Sequence, residues 1–182
     1  INDYNHWTVE LILRSYPKLD SIKDLGSLFS SPWKQRFFTL FGAEQSLDGI
    51  EHGLLRGAPD YDDPRIHFAV NCASIGCPAL RPEAYRGADL DAQLDDQTRR
   101  FLRDRTRNRY DTAERTLYLS HIFDWYESDF EHGWLGVDSV AAFVGHYARE
   151  LGLDETQATA LKAGDVDIEY LDYDWSLNRR TP

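Results

Sequence analysis

Six residues of this 182-residue chain, Cys72 to Cys77, hold both of its cysteines. They close the run Arg65-Ile66-His67-Phe68-Ala69-Val70-Asn71-Cys72-Ala73-Ser74-Ile75-Gly76-Cys77-Pro78, which places His67 just upstream. Four chemistries fit these residue types. A disulfide fits if the turn brings the alpha carbons within about 7 Å. Two reduced cysteines fit a packing role, because free Cys is among the most buried residue types. A catalytic thiol fits if a base lies beside it. A zinc site would use His67, Cys72 and Cys77, but H-x4-C-x4-C is an unusual spacing, no CxxC is present, and a fourth ligand must come from elsewhere.

Ile66 to Asn71 reads as a strand. Its alternation sends Ile66, Phe68 and Val70 to one face and Arg65, His67, Ala69 and Asn71 to the other. If extended geometry persists, the Cys72 thiol joins the apolar, core side. Cys77 lies between Gly76 and Pro78, and Pro suits a first helical position. A thiol at a helix N-terminus has a lowered pKa, so Cys77 is the better nucleophile of the two.

A second constellation is Ser46-Leu47-Asp48-Gly49-Ile50-Glu51-His52-Gly53-Leu54-Leu55-Arg56. On a helix, Leu47, Ile50 and Leu54 make a buried stripe. Asp48, His52 and Arg56, each four residues from the next, align a carboxylate, an imidazole and a guanidinium. This is either an ordinary surface ladder or half of a Cys-His-Asp arrangement. His6, His121, His132 and His146 lack such patterns and read as packing or surface residues. The aromatic cluster Trp125, Tyr126, Phe130 and Trp134 reads as core.

The elements that must position these residues are short. Asp3 caps a first helix carrying Tyr4, Trp7, Leu11 and Ile12, which ends at Tyr16-Pro17. Pro32 starts a piece with Trp33, and residues 37–46 suggest a hairpin. Ser46 caps the helix Leu47 to about Arg56, and a loop runs from Gly57 to Pro64. Helices follow at about Ala88 to Arg105, after Ser120, after Asp138, and from Asp154 to Gly164. Strands fall at Thr116 to Leu119 and along Ile168 to Trp175. The pattern predicts an α+β fold with one small, mostly antiparallel sheet of three to five short strands surrounded by about six helices.

Apolar residues make up 42% of the chain and aromatics 13%, enough for a full core in one domain spanning 1–182. The net charge is −11, which argues against nucleic-acid binding. The one arginine-rich stretch, Arg99 to Arg109, is interleaved with Asp89, Asp91, Asp95, Asp96 and Asp104 and reads as a salt-bridged helix face. No apolar run is long enough to span a membrane. No Gly-rich phosphate loop follows a strand, and no cofactor is expected. The chain starts at Ile1 without a Met or a signal-like segment, so the expectation is an N-terminally trimmed chain.

Several motifs in order resemble the family called domain of unknown function 547. They are Ser46-Leu47-Asp48, Ile50-Glu51-His52, Leu55-Arg56, Asp63-Pro64-Arg65-Ile66-His67-Phe68-Ala69, Asn71-Cys72-Ala73-Ser74 and Cys77-Pro78. The resemblance extends to Ser31-Pro32-Trp33-Lys34, to Ile122-Phe123, Trp125-Tyr126 and Asp129-Phe130, and to the tail Tyr173-Asp174-Trp175-Ser176-Leu177-Asn178. It implies an uncharacterised globular domain. Bacterial members of that family are commonly single-domain and exported, so the resemblance favours an extracytoplasmic bacterial protein. Glu51, His52, Arg56, Arg65, His67, Cys72 and Cys77 all match the family pattern.

Two functions follow. In one, the protein is a thiol-dependent hydrolase or acyl transferase, cysteine-protease-like or transglutaminase-like. Cys77 or Cys72 attacks a carbonyl, His52 or His67 takes the proton, and Asp48 or Glu51 orients the imidazole. In the other, it is a binding, scaffold or thiol-redox domain with Cys72 and Cys77 bonded to each other. Glu51, His52, Arg56, Arg65 and His67 then form a polar network or a pocket for an anionic ligand. The partner in either case is an unknown small molecule or peptide.

Overall fold

The apolar spacing of residues 1–13 is helical, and the computed structural model, which describes residues 1–27, 30–57 and 62–179, forms helix α1 there (Asn2–Leu13). Ile1 holds the N-cap position, so Asp3 sits in the first turn, where its charge suits the helix dipole. Tyr4, Leu11 and Ile12 are buried as expected.

The hairpin forms from β1 (Phe38–Leu40) and β2 (Ala43–Gln45). Phe41 and Gly42 both have positive φ (52° and 79°), which gives a two-residue hairpin loop its twist. The next segment departs from expectation. Gly49–Leu55 is a π-helix, with the Arg56 N–H bonded to the Glu51 carbonyl at 2.9 Å. The wider turn changes which side chains share a face. Leu47 and Ile50 are buried, but Leu54 turns outward and Glu51 is buried. The predicted loop after Gly57 falls mostly on residues 58–61, outside the described residues.

The predicted strand at residues 66–71 is a 3-10 helix, Pro64–Phe68. The Asp63 side chain accepts from the Arg65 N–H at 3.0 Å, and Pro64 takes the first position. These start signals outweigh the alternation. Arg65, Ile66, His67 and Phe68 are all buried, because elements pack around every side of the turn. Nor does Pro78 start a helix; no helix is present between Phe68 and Leu90.

Helix α2 is Leu90–Leu102 and carries the arginine-rich face. Arg99 bonds Asp95 and Glu150, both at 2.6 Å, as a salt-bridged face should. Strands β3 (Arg109–Asp111) and β4 (Thr116–Ser120) pair antiparallel. β5 (Asp167–Leu171) pairs parallel to β4, with Thr116 opposite Asp167. Among the described residues there are thus two small sheets in an α+β fold, and the larger is mixed rather than mostly antiparallel. The expected aromatic helix is split into α3 (Ile122–Trp125) and a 3-10 turn at Glu127–Phe130. Ser139, not Asp138, caps α4 (Val140–His146). Asp154 and Gln157 form a capping box on α5 (Glu155–Ala163), and Gly164 closes it with φ 78°.

One core gathers Phe68, Phe101, Leu117, Phe123, Phe130 and Phe143 between α2, the mixed sheet and α4. A second joins α1, the hairpin and the π-helix through Tyr4, Phe38, Leu47 and Ile50. No helix of the described residues is long and apolar enough to cross a membrane.

Candidate functional site

β5 ends at Leu171, short of the expected Trp175. The chain then crosses the cysteine turn. Ile75 N–H donates to the Ser176 carbonyl at 2.8 Å, Gly76 N–H to Asp174 at 2.9 Å, and Asn178 N–H to Ala73 at 2.8 Å. The Ser21 hydroxyl donates to the Trp175 carbonyl at 2.8 Å from the other side. Gly76 is required here: a Cβ would meet the Tyr173 ring at 2.8 Å.

Within that turn Cys72 and Cys77 form a disulfide, with their alpha carbons 6.0 Å apart. Their predicted environments are exchanged. Cys77 is buried and not at a helix N-terminus, while Cys72 is half-buried. Because Pro64–Phe68 is helical, the strand alternation that sent Cys72 to the core does not hold. Cys72 Sγ lies 3.1 Å from the Tyr173 hydroxyl and 3.2 Å from that of Ser74. With the bond closed, neither sulfur is a nucleophile or a zinc ligand.

The disulfide borders a cavity of about 270 Å³, and Glu51, His52 and His67 border it too. The π-helix and the cysteine turn therefore meet at one space. Arg56 stands behind it, and Arg65 lies apart. Arg65 bonds Asp63 and Asp91, both at 2.7 Å, and stacks over Trp134 at 4.7 Å. It holds the 3-10 turn to α2 and is no part of the cavity wall.

The polar wall is one connected network. His67 Nε2 donates to Asp129 Oδ2 at 2.8 Å. Arg56 grips the same carboxylate with two bonds, Nε at 2.6 Å and Nη2 at 2.8 Å. Arg56 Nη1 also donates to His52 Nδ1 at 2.6 Å. A guanidinium has no acceptor, so His52 Nδ1 carries a lone pair and neutral His52 holds its hydrogen on Nε2. Nε2 lies 3.7 Å from Asp48, a contact short of a good hydrogen bond. Tyr126 stacks on His67 at 3.9 Å and donates its hydroxyl to Glu51 Oε1 at 2.5 Å.

Charge follows burial. Burial lowers the His67 pKa, and Asp129 opposes without winning, so His67 is neutral. Burial alone would raise Asp129, but hydrogen bonds from Arg56 and His67 hold its carboxyl well below the usual range. Burial, then the charge of Glu51, pushes Tyr126 up, and the same causes raise Tyr4. Burial moves Tyr173 up to about 12. These phenols stay protonated and act as donors.

The orienting carboxylate expected from Asp48 or Glu51 is Asp129. Its role was hidden because it lies 62 residues from His67. Tyr126, Trp125, Tyr173 and Trp175 also border the cavity. The predicted aromatic core therefore divides: Phe130 is core, whereas Trp125 is 44% exposed at the cavity. What signal there was lay in the family-like motifs Trp125-Tyr126, Asp129-Phe130 and Tyr173-Asp174-Trp175.

A small α+β domain with a closed disulfide, a His–carboxylate pair and an aromatic-walled cavity defines the class. The chain belongs to the family described as protein of unknown function, DUF547, whose pattern matches residues 1–102. No curated protein and no solved structure matches it.

Proposed function

We propose that this chain is a ligand-binding domain whose cavity takes a small molecule or a peptide side chain. The carrying observation is the Cys72–Cys77 disulfide in the wall of the cavity that Glu51 and His67 also border. In this form the sulfurs hold the wall and the tail in register and do no covalent chemistry. A disulfide suits an oxidising compartment, and we propose an extracytoplasmic location.

A thiol-dependent hydrolase or acyl transferase is the second reading, and it rests on the His67–Asp129 pair at 2.8 Å. It requires an external thiol to open the bond first. Thiol alkylation followed by mass measurement separates the two. Binding predicts no label on native protein and two labels after reduction and unfolding. Two labels on native, unreduced protein, together with thioester hydrolysis abolished by Cys77→Ala, would replace the binding reading with the hydrolase.

A further inference from the structure

Only 6% of Glu51 is exposed, yet no Lys, Arg or His of the described residues forms an ion pair with it. Arg56 is near enough to feel its charge, but its fork is committed to Asp129. Its side-chain partners among the described residues are neutral phenols: the Tyr126 hydroxyl donates to it at 2.5 Å, and the Tyr4 hydroxyl is a second donor. A buried carboxylate without a cation is costly, and a ligand carrying the positive charge removes that cost.

The rest of the wall is suited to the same charge. Trp125 stacks on Trp175 at 5.5 Å, Tyr173 lies 4.6 Å from Trp175, and Trp33 meets Trp175 edge-on at 5.6 Å. Aromatic faces attract cations through their quadrupole. Trp175 already does so within the chain, with Lys23 Nζ 3.7 Å from its ring centre. His67 is neutral and adds no opposing charge to the wall. Asp48 also borders the cavity, and the net charge of −11 draws cations toward the protein. About 270 Å³ is small for a drug-sized ligand and suits one alkyl chain with its head group.

We propose that the cavity recognises an alkylammonium group, with Glu51 as its counter-ion and the Trp125–Tyr173–Trp175 wall around its methylenes. This inference rests on the ligand-binding reading and names its ligand class. It reverses the pocket for an anionic ligand expected for Glu51, His52, Arg56, Arg65 and His67, because both arginines are committed to aspartates.

The test is tryptophan-fluorescence titration of the oxidised full chain. The probes are pentylammonium, N-acetyl-lysine methylamide, the neutral isostere 1-pentanol, and butyrate. Saturable quenching by either ammonium, at least about tenfold tighter than by 1-pentanol, is expected. Whether the amine or the lysine derivative binds more tightly tells free amine from peptide side chain. Glu51→Gln keeps the acceptor for Tyr126 and is expected to weaken ammonium binding about tenfold without changing the circular dichroism. Trp175→Phe, a second variant that keeps a ring, is expected to weaken it less. Equal binding of 1-pentanol, or butyrate the tightest, overturns the cation assignment and leaves a binding cavity. No saturable response to any probe overturns the binding reading itself.

Discussion

Replacing Asp129 with Asn tests the network most directly. The substitution keeps the shape, removes the charge, and turns an amide toward either Arg56 or His67. Asp129 accepts three N–H bonds at 2.6–2.8 Å from Arg56 and His67. The side chains of Asp129, Arg56 and His67 are 14%, 22% and 1% exposed. Breaking a fully buried ion pair costs about 3–5 kcal/mol. Water reaches Arg56, which places the loss at the low end, about 3 kcal/mol. Urea unfolding followed by circular dichroism is expected to lose about 1 M or more in midpoint at neutral pH.

The pH dependence is more specific. The folded pKa of Asp129 is depressed, so its stabilisation is complete above about pH 4 and lost as pH falls toward the folded value. The folded pKa of His67 is also depressed, so the unfolded chain binds protons first and stability falls below about pH 6.5. Asp129 supports the protonated form of His67, and without it the His67 loss runs to lower pH. Wild type and variant therefore lose stability in parallel from about pH 6.5 down to the folded pKa of His67, the gap widens below that point, and it closes below about pH 4 as Asp129 protonates. A gap under about 1 kcal/mol at pH 7, or one that does not narrow as pH falls below about 4, would refute the reasoning.

Gly76→Ala is expected to cost about 1–3 kcal/mol, seen as a lower melting temperature, because the new Cβ meets the Tyr173 ring. An unchanged melting curve would mean that the tail does not press on the turn. Arg65→Lys keeps the charge but loses the fork shared by Asp63 and Asp91, and about 1–2 kcal/mol of stability by chemical denaturation. Ammonium binding is expected to be unaffected, since Arg65 lies outside the cavity wall; weakened binding would contradict that placement.

Signals carried by a single turn of chain were legible in the sequence. The hairpin, the Asp154 cap and the Gly164 stop are local, and they appear where predicted. The segment from Ile66 to Asn71 alternates like a strand, but the Asp63-Pro64 start signal sets a 3-10 turn there. The π-helix was invisible, since the i,i+4 pattern of Asp48, His52 and Arg56 suits an α-helix equally. Glu51, His52, His67 and both cysteines do share one cavity. Their partners Asp129, Tyr126 and Tyr173 come from distant segments, and no spacing rule links residues 62 to 101 positions apart.

The tail that lies across the cysteine turn separates two events in folding. Pairing of the sulfurs joins residues only five positions apart and needs a short loop closure. Seating Tyr173 against Ser74 and Leu177 against the same turn joins residues about a hundred positions apart, a slow kind of contact. Oxidation can thus run ahead of cavity assembly, leaving an interval in which the bond exists while its aromatic cover is unseated. Docking of the tail then places the Tyr173 hydroxyl 3.1 Å from Cys72 Sγ. The first 102 residues hold both cysteines, Glu51 and His67, whereas Tyr126, Asp129, Tyr173 and Trp175 come from the rest of the chain, so the cavity is complete only once those later segments dock.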